Sequence, residues 1–221
     1  MPFMGSAGSC RSFGPKVKIC GVSDRASLKE VARLGVDAVG FIFYDGSPRA
    51  VVGAQVKAWI EDMPPFVHAV GVFVDEKASQ VKKVAQLCGL SYIQLHGQET
   101  PEYCAALPKN RLIKAFRVKN GFGPDKIAPY VPHVGGILLD SAASGEGFDW
   151  RVACAIREAF PDMPLILAGG LNVENVEEAI RVVHPYAVDV SSSVETTPGV
   201  KDPAKVQELL HRIASIPSPV H

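Results

Sequence analysis

A thiol, a carboxyl group and an imidazole share one sequence context in this chain. Each closes a short apolar or β-branched run. Cys20 ends Lys16-Val17-Lys18-Ile19, Asp140 ends Gly136-Ile137-Leu138-Leu139, and His96 follows Gln94-Leu95. Cys20 is either buried packing or, as a thiolate, a base or nucleophile, which needs a lowered pKa or a cationic neighbour. Lys18, two residues back and on the same side of an extended strand, is a candidate for that cation. Asp140 is either a helix cap or an acid; among apolar walls its pKa would rise toward neutrality, which suits proton donation. His96 either lines a pocket or satisfies a strand end. Arg49, in the loop Tyr44-Asp45-Gly46-Ser47-Pro48-Arg49, is a solvated surface residue or a fork for a substrate carboxylate. Gly169-Gly170 and Ser191-Ser192-Ser193 are turns or, together, a phosphate cradle of backbone N–H groups and hydroxyls. No HxxxH, HxH or mixed Asp/His cluster occurs among the six histidines, so no protein-built metal site is expected.

The elements that would position these groups repeat. Strands are predicted over residues 16–20, 38–43, 68–74, 92–96, 112–118, 136–140, 165–169 and 187–191. Helices are predicted over 24–34, 51–62, 76–88, a short stretch after Pro101, 124–130, 149–160, from Asn172 to 183, and 203–214. Asp24 and Asn172 are N-cap candidates, and Gly35 and Gly89 are stops. Strands apolar on both faces that alternate with helices require a parallel sheet with both faces covered. Eight such units predict one (β/α)₈ barrel, a TIM barrel of the α/β class, over residues 16–214, with tails at 1–15 and 215–221. An open doubly wound sheet would favour a glycine-rich phosphate loop after the first strand; Gly21-Val22-Ser23 there has no GxGxxG. In a barrel the functional groups sit at the carboxyl ends of the strands, and the loops after the last two strands often hold phosphate. Strands one and six are then three steps apart, with seven and eight between them. Cys20 and Asp140 would face each other across a phosphate-anchored substrate, a layout suited to moving protons on a sugar phosphate.

Bulk properties narrow the field. The 221 residues carry 23 basic and 23 acidic side chains, so affinity driven by a basic surplus for nucleic-acid or membrane phosphates is not expected. With 47% apolar and 21% charged residues the chain has the composition of a folded domain rather than a disordered one. Its five cysteines, Cys10, Cys20, Cys88, Cys104 and Cys154, are odd in number and widely spaced, which fits reduced thiols in the cytoplasm better than a disulfide framework. The first fifteen residues lack the apolar core of a secretory signal, and no run approaches a membrane span.

The ordered blocks resemble the phosphoribosylanthranilate isomerases of tryptophan biosynthesis. The resemblance runs from Lys16 to about Ile213. It is carried by Lys18-Ile19-Cys20-Gly21, Val39-Gly40-Phe41-Ile42-Phe43-Tyr44 with Ser47-Pro48-Arg49, and Val70-Gly71-Val72-Phe73-Val74. It continues through Gln94-Leu95-His96-Gly97, Leu138-Leu139-Asp140-Ser141, Ala168-Gly169-Gly170-Leu171-Asn172, Val188-Asp189-Val190-Ser191-Ser192, Val194-Glu195 and Pro198-Gly199-Val200-Lys201-Asp202. The resemblance implies an Amadori rearrangement of N-(5-phosphoribosyl)anthranilate, with Asp140 as general acid and Cys20 as general base. It implies Arg49 on the anthranilate carboxylate, His96 in the substrate pocket, and the amides near Gly169, Gly170, Asp189, Ser191 and Ser192 on the phosphate. It implies no cofactor and no metal. The implied partner is a small phosphosugar-anthranilate, with neither nucleic acid nor membrane; monomer and homodimer are equally compatible with the sequence.

Two positions depart from that family's pattern. Ser193 stands where glycine is common, and would be strained if that glycine has a positive φ. Ala142-Ala143 replace a Gly-Gly pair in the loop after strand six, which would stiffen or reshape it. These departures motivate a competing expectation, a barrel that binds a phosphosugar without turning it over. A third expectation is another phosphate-binding barrel isomerase. The histidine-pathway enzyme would use paired Asp at strand ends one and five, where this chain has Cys20 and Phe116-Arg117-Val118; a metal-dependent epimerase would need His and Asp ligands.

Overall fold

The computed structural model describes residues 14–119, 121–141 and 149–216. Eight strands, β1 (Lys16–Cys20), β2 (Ala38–Ile42), β3 (His68–Phe73), β4 (Tyr92–Leu95), β5 (Leu112–Val118), β6 (Gly136–Ser141), β7 (Leu165–Ala168) and β8 (Ala187–Val190), close in sequence order into a barrel. Every neighbouring pair is parallel, including β1 with β8. The predicted (β/α)₈ architecture is therefore the observed one. Helices α1 (Arg25–Arg33), α2 (Gly53–Ile60), α3 (Ala78–Cys88), α4 (Pro101–Ala105), α5 (Pro124–Ile127), α6 (Trp150–Ala159), α7 (Val176–Val183) and α8 (Pro203–Ala214) follow the strands in turn. Among the described residues no helix is long and apolar enough to cross a membrane.

Period-two alternation sorts the strand residues between two layers. Ile19, Val39, Phe41, Ile93, Leu95, Ile137, Leu139, Leu167, Val188 and Val190 point outward and pack against the helices as one continuous core. The alternate positions fill the barrel, where Ala115, Leu138, Ile166, Ala168 and Ala187 form a second apolar cluster. Alternation puts Lys18 and Cys20, Gln94 and His96, Leu138 and Asp140, and Ala187 and Asp189 on the inward face. The interior is thus partly polar: Lys18, Gln94 and Asp189 are all buried there. Such a layer survives because Lys18 Nζ donates to Asp189 Oδ2 at 2.7 Å, and the two residues are register partners across β1 and β8.

Local signals explain most boundaries. Asp24 caps α1, its Oδ1 accepting from Ser27 N–H at 2.8 Å, and Gly89 ends α3 in the left-handed region at φ 67. Asn172 does not cap the seventh helix. Its Oδ1 accepts from the N–H groups of Glu174 and Asn175, closing a turn, and α7 starts only at Val176. The first turns of α2 and α3 also start later than the sequence suggests, because Val52 and Lys77 are extended. The stretch predicted over 124–130 shrinks to the single turn of α5. Strands β2, β3, β4, β7 and β8 each stop one residue early, which moves His96, Gly169 and Ser191 out of the ladder and into the loops that cover the barrel mouth. An unanticipated hairpin, β9 (Glu195–Thr197) with β10 (Val200–Lys201), lies between β8 and α8 and pairs Glu195 with Lys201.

Candidate active site

The carboxyl ends of β2 to β6 and the loops that follow β2 to β5 line a cavity of about 800 Å³. Its wall includes Arg49, His96, Phe116, Arg117 and Asp140. Cys20, Gly169, Gly170, Asp189, Ser191 and Ser192 are not among its lining residues; Cys20 ends β1, buried, with Gly40 of β2 as its register partner. The absence of a side chain at Gly40 is what makes room: a Cβ there would fall 2.7 Å from Cys20 Sγ and 3.2 Å from Lys18 Nζ. The thiol and the ammonium thus share one niche. Burial pushes the Cys20 thiol above the ordinary cysteine range; Lys18 pulls it back and Asp189 pushes it up again. Burial also works against the Lys18 ammonium, but Asp189 and Cys20 together hold its pKa above the usual lysine value. The cation expected near Cys20 is present, yet the net effect favours the thiol.

Asp140 does not sit among apolar walls. Its Oδ2 is 3.1 Å from His96 Nε2, and the side chain is about one-quarter exposed at 23%. His96 Nδ1 in turn is 3.2 Å from the buried Gln94 amide nitrogen. His96 thus bridges the Gln94 amide and the Asp140 carboxyl group, the donor and acceptor roles of its two nitrogens being set by the tautomer. His96 therefore both lines the cavity and closes a strand end, and its partner is the other group singled out for proton transfer. Arg117 is the register partner of Asp140 across β5 and β6.

Gly169 and Gly170 leave β7 at φ 78 and φ 70, a turn that only glycine adopts without strain. Across from them Ser191 Oγ donates to Cys20 O at 3.0 Å, fixing the β8 end to the β1 end. Ser192 opens the short turn Ser192–Val194, next to the Gly169-Gly170 loop through Ser193 Oγ, which donates to Leu171 O at 2.6 Å. Ser193 is not among the described non-glycine residues with positive φ, which are Phe66, Asp75 and His184, so the expected strain is absent. The Asp189 carboxylate faces Lys18 inside the barrel rather than the Gly169-Gly170 loop; only its backbone is left for an anion there. Ala142-Ala143 lie outside the described residues.

Arg49 holds a partner the sequence did not suggest. Its Nε and Nη2 donate to Glu195 Oε1 and Oε2 at 2.8 and 2.7 Å. Glu195 also accepts from Lys201 Nζ at 2.6 Å and from Gly199 N–H at 3.1 Å. Burial pushes the Glu195 carboxyl up, but Arg49 and Lys201 more than offset it and hold it below the ordinary glutamate value. Glu99 and Lys114 form a second unforeseen pair, 3.0 Å apart and buried under the cavity. Glu99 accepts from the N–H groups of Asp75 and Gly97, and so anchors the loop that carries His96. A signal for these partners was weak at best. Glu195 and Lys201 stood in recognisable blocks without an obvious task, and nothing local connects Glu99 to Lys114.

The family model of N-(5'-phosphoribosyl)anthranilate isomerase matches residues 17–212. A curated relative from Geotalea uraniireducens, named N-(5'-phosphoribosyl)anthranilate isomerase, is 45% identical over 203 residues, covering 89% of this chain and 97% of that protein. The phosphoribosyl anthranilate isomerase of Thermus thermophilus superposes with a TM-score of 0.82 at 35% identity, covering 91% of this chain and 100% of that one. A crystal structure of phosphoribosyl anthranilate isomerase in complex with reduced 1-(o-carboxyphenylamino)-1-deoxyribulose 5-phosphate superposes at 0.81 with 38% identity, over 90% of this chain and 98% of that one. A thiamine phosphate pyrophosphorylase from Pyrococcus furiosus, at 13% identity and a TM-score of 0.67, shares the fold alone. With the match spanning the whole barrel, the chain belongs to the N-(5'-phosphoribosyl)anthranilate isomerase family.

Proposed function

We propose that this isomerase performs the Amadori rearrangement of N-(5-phosphoribosyl)anthranilate to 1-(2-carboxyphenylamino)-1-deoxyribulose 5-phosphate in tryptophan biosynthesis, with Asp140 as general acid and Cys20 as general base. The observation that carries this reading is the inward placement of Cys20 and Asp140 on β1 and β6, with the Gly169-Gly170 and Ser191-Ser192 loops between them. Asp140 gives a proton to the ribose ring oxygen as the C1–O bond breaks. The anilino nitrogen lone pair then forms the C1=N double bond of a Schiff base. Cys20, as thiolate, removes the C2 proton, and the released pair forms the C1=C2 bond while neutralising the iminium. Protonation at C1 and loss of the C2 hydroxyl proton give the ketose. No atom is gained or lost overall, so the chemistry needs one acid and one base rather than a redox cofactor.

His96 lines the cavity and holds the Asp140 carboxyl group in place through their 3.1 Å contact. Arg49 takes the anthranilate carboxylate, and backbone amides of Gly169, Gly170, Asp189, Ser191 and Ser192 take the phosphate. This division fits the neutral net charge: amide dipoles and one guanidinium anchor the anionic ligand without a basic surface. A fluorescence assay on the anthranilate substrate tests the assignment. Cys20→Ala and Asp140→Asn each lose the bulk of turnover, whereas Arg49→Ala raises KM more than it lowers kcat. Full activity of Asp140→Asn would end this mechanism.

A further inference from the structure

The reading of Arg49 as the grip on the substrate's aromatic carboxylate has a geometric consequence. A guanidinium presents five N–H groups on two usable edges: a side edge, Nε with Nη2, and an end edge, Nη1 with Nη2. Glu195 occupies the side edge with both carboxylate oxygens, at 2.8 and 2.7 Å. The end edge carries no protein acceptor among the described residues. The arginine stem is confined as well, since a Cβ on Gly21 would fall 2.6 Å from Arg49 Cδ and one on Gly199 3.8 Å from Cγ. Glu195 is itself immobile: its side chain is 5% exposed, and Lys201 Nζ and Gly199 N–H bind it from the hairpin of β9 and β10. Lys201, wholly buried, also donates to Ser191 O at 3.2 Å, and Ser191 is tied to Cys20.

An arginine already paired with a carboxylate is ordinarily a poor anion receptor, because the pair is neutral. Here the second cation changes the count. Arg49 and Lys201 against Glu195 leave the cluster with one net positive charge, and Lys205 Nζ, 2.8 Å from the Glu195 backbone oxygen, adds to the field. We propose that Glu195 is the positioning residue of the carboxylate grip: it takes the side edge of Arg49 and so presents the end edge to the aromatic carboxylate, while Lys201 keeps the cluster cationic. This rests on the role given to Arg49 above.

Charge and position predict opposite outcomes, which makes the proposal testable. If Glu195 acted only through its charge, removing it would strengthen anion binding. If it acts by holding Arg49, removing it weakens carboxylate binding despite the more positive site. The probes are reduced 1-(2-carboxyphenylamino)-1-deoxyribulose 5-phosphate and its analogue without the carboxylate, reduced 1-phenylamino-1-deoxyribulose 5-phosphate. Calorimetric titration gives the ratio of their Kd values for each protein. Arg49→Ala brings the ratio close to one. Glu195→Gln lowers it about tenfold, the cost of immobilising one long side chain on binding, with the carboxylate-free ligand unaffected. Glu195→Asp keeps the negative charge but draws the carboxylate back by one methylene from the side edge of Arg49; it lowers the ratio about threefold and decides the matter alone if Glu195→Gln fails to fold. A wild-type or increased ratio in the Glu195 variants beside a collapsed ratio in Arg49→Ala overturns the proposal and spares the Arg49 reading. Equal weakening of both ligands also overturns it, since that reports general disorder. A wild-type ratio in Arg49→Ala overturns the Arg49 reading itself.

Discussion

Gly169→Ala separates a backbone requirement from a catalytic one. Gly169 and Gly170 are both left-handed, at φ 78 and φ 70, so alanine at either position meets a similar conformational penalty of about 1–2 kcal/mol. Their surroundings differ. A Cβ at Gly169 would lie 2.3 Å from Ser141 N, 2.5 Å from Ser141 Oγ and 2.5 Å from Asp140 Oδ1, whereas one at Gly170 meets only Ser141 Oγ at 3.9 Å. Ordinary contact begins at 3.4 Å, so Asp140 Oδ1 falls short by 3.4 − 2.5, or roughly 0.9 Å. Ser141 cannot yield, because it pairs with Val118 at the end of β6. The 169–170 backbone must therefore shift off Ser141 N, and the Asp140 carboxyl group, which the new Cβ also overlaps, swings from its place against His96. A misplacement of that size costs about 10²-fold in rate, or about 2.7 kcal/mol of barrier. Steady-state kcat from the fluorescence assay, with urea unfolding of the same proteins, tests this. Gly169→Ala loses about 10²-fold in kcat and is the less stable of the two, while Gly170→Ala changes kcat little and pays mainly in stability and KM. Similar kcat values for the two variants, or a Gly169→Ala enzyme turning over near the wild-type rate, would refute the steric link to Asp140.

Two further perturbations address the buried charges. The base form of Cys20 appears only as pH rises through a thiol pKa that burial has raised and Lys18 has pulled back. Lys18→Gln removes that pull, so the rising limb of kcat/KM and the thiolate ultraviolet absorbance both move to higher pH; an unmoved limb would show that Lys18 does not tune Cys20. The same raised pKa means that the buried thiol contributes stability below the ordinary cysteine value, lost as pH rises through the folded one. Lys114→Met leaves the buried Glu99 carboxylate without its cation and loses about 3–5 kcal/mol in urea unfolding, with a fall in kcat as the His96 loop loosens. A loss below about 1 kcal/mol would mean that the pair behaves as if solvent-exposed.

The division of labour between sequence and structure can be traced through individual residues. The eight βα units, the barrel, and the positions of Cys20, His96, Asp140 and the glycine and serine loops at the carboxyl ends were all legible. They depend on local rules: two-residue alternation in strands, helical period in between, and turn residues at the punctuation. Helix starts were read less well. Asn172 has the chemistry of a cap, and only the placement of Glu174 and Asn175 made it a turn instead. The polar neighbour of Asp140 was hidden for a similar reason, since Leu138 and Leu139 flank it in sequence while His96 reaches it from a strand two places round the barrel.

What the sequence alone determined was which groups stand at the barrel mouth, because strand alternation and strand order follow from patterns within each unit. What the tertiary structure decided was whom those groups meet. Lys18 joins Asp189 across 171 residues, Arg49 joins Glu195 across 146, and His96 joins Asp140 across 44. These contacts bring together residues far apart along the chain, and barrel closure is what creates them. The strength of each pair then depends on burial, which is a property of the assembled packing and has no signature in local sequence.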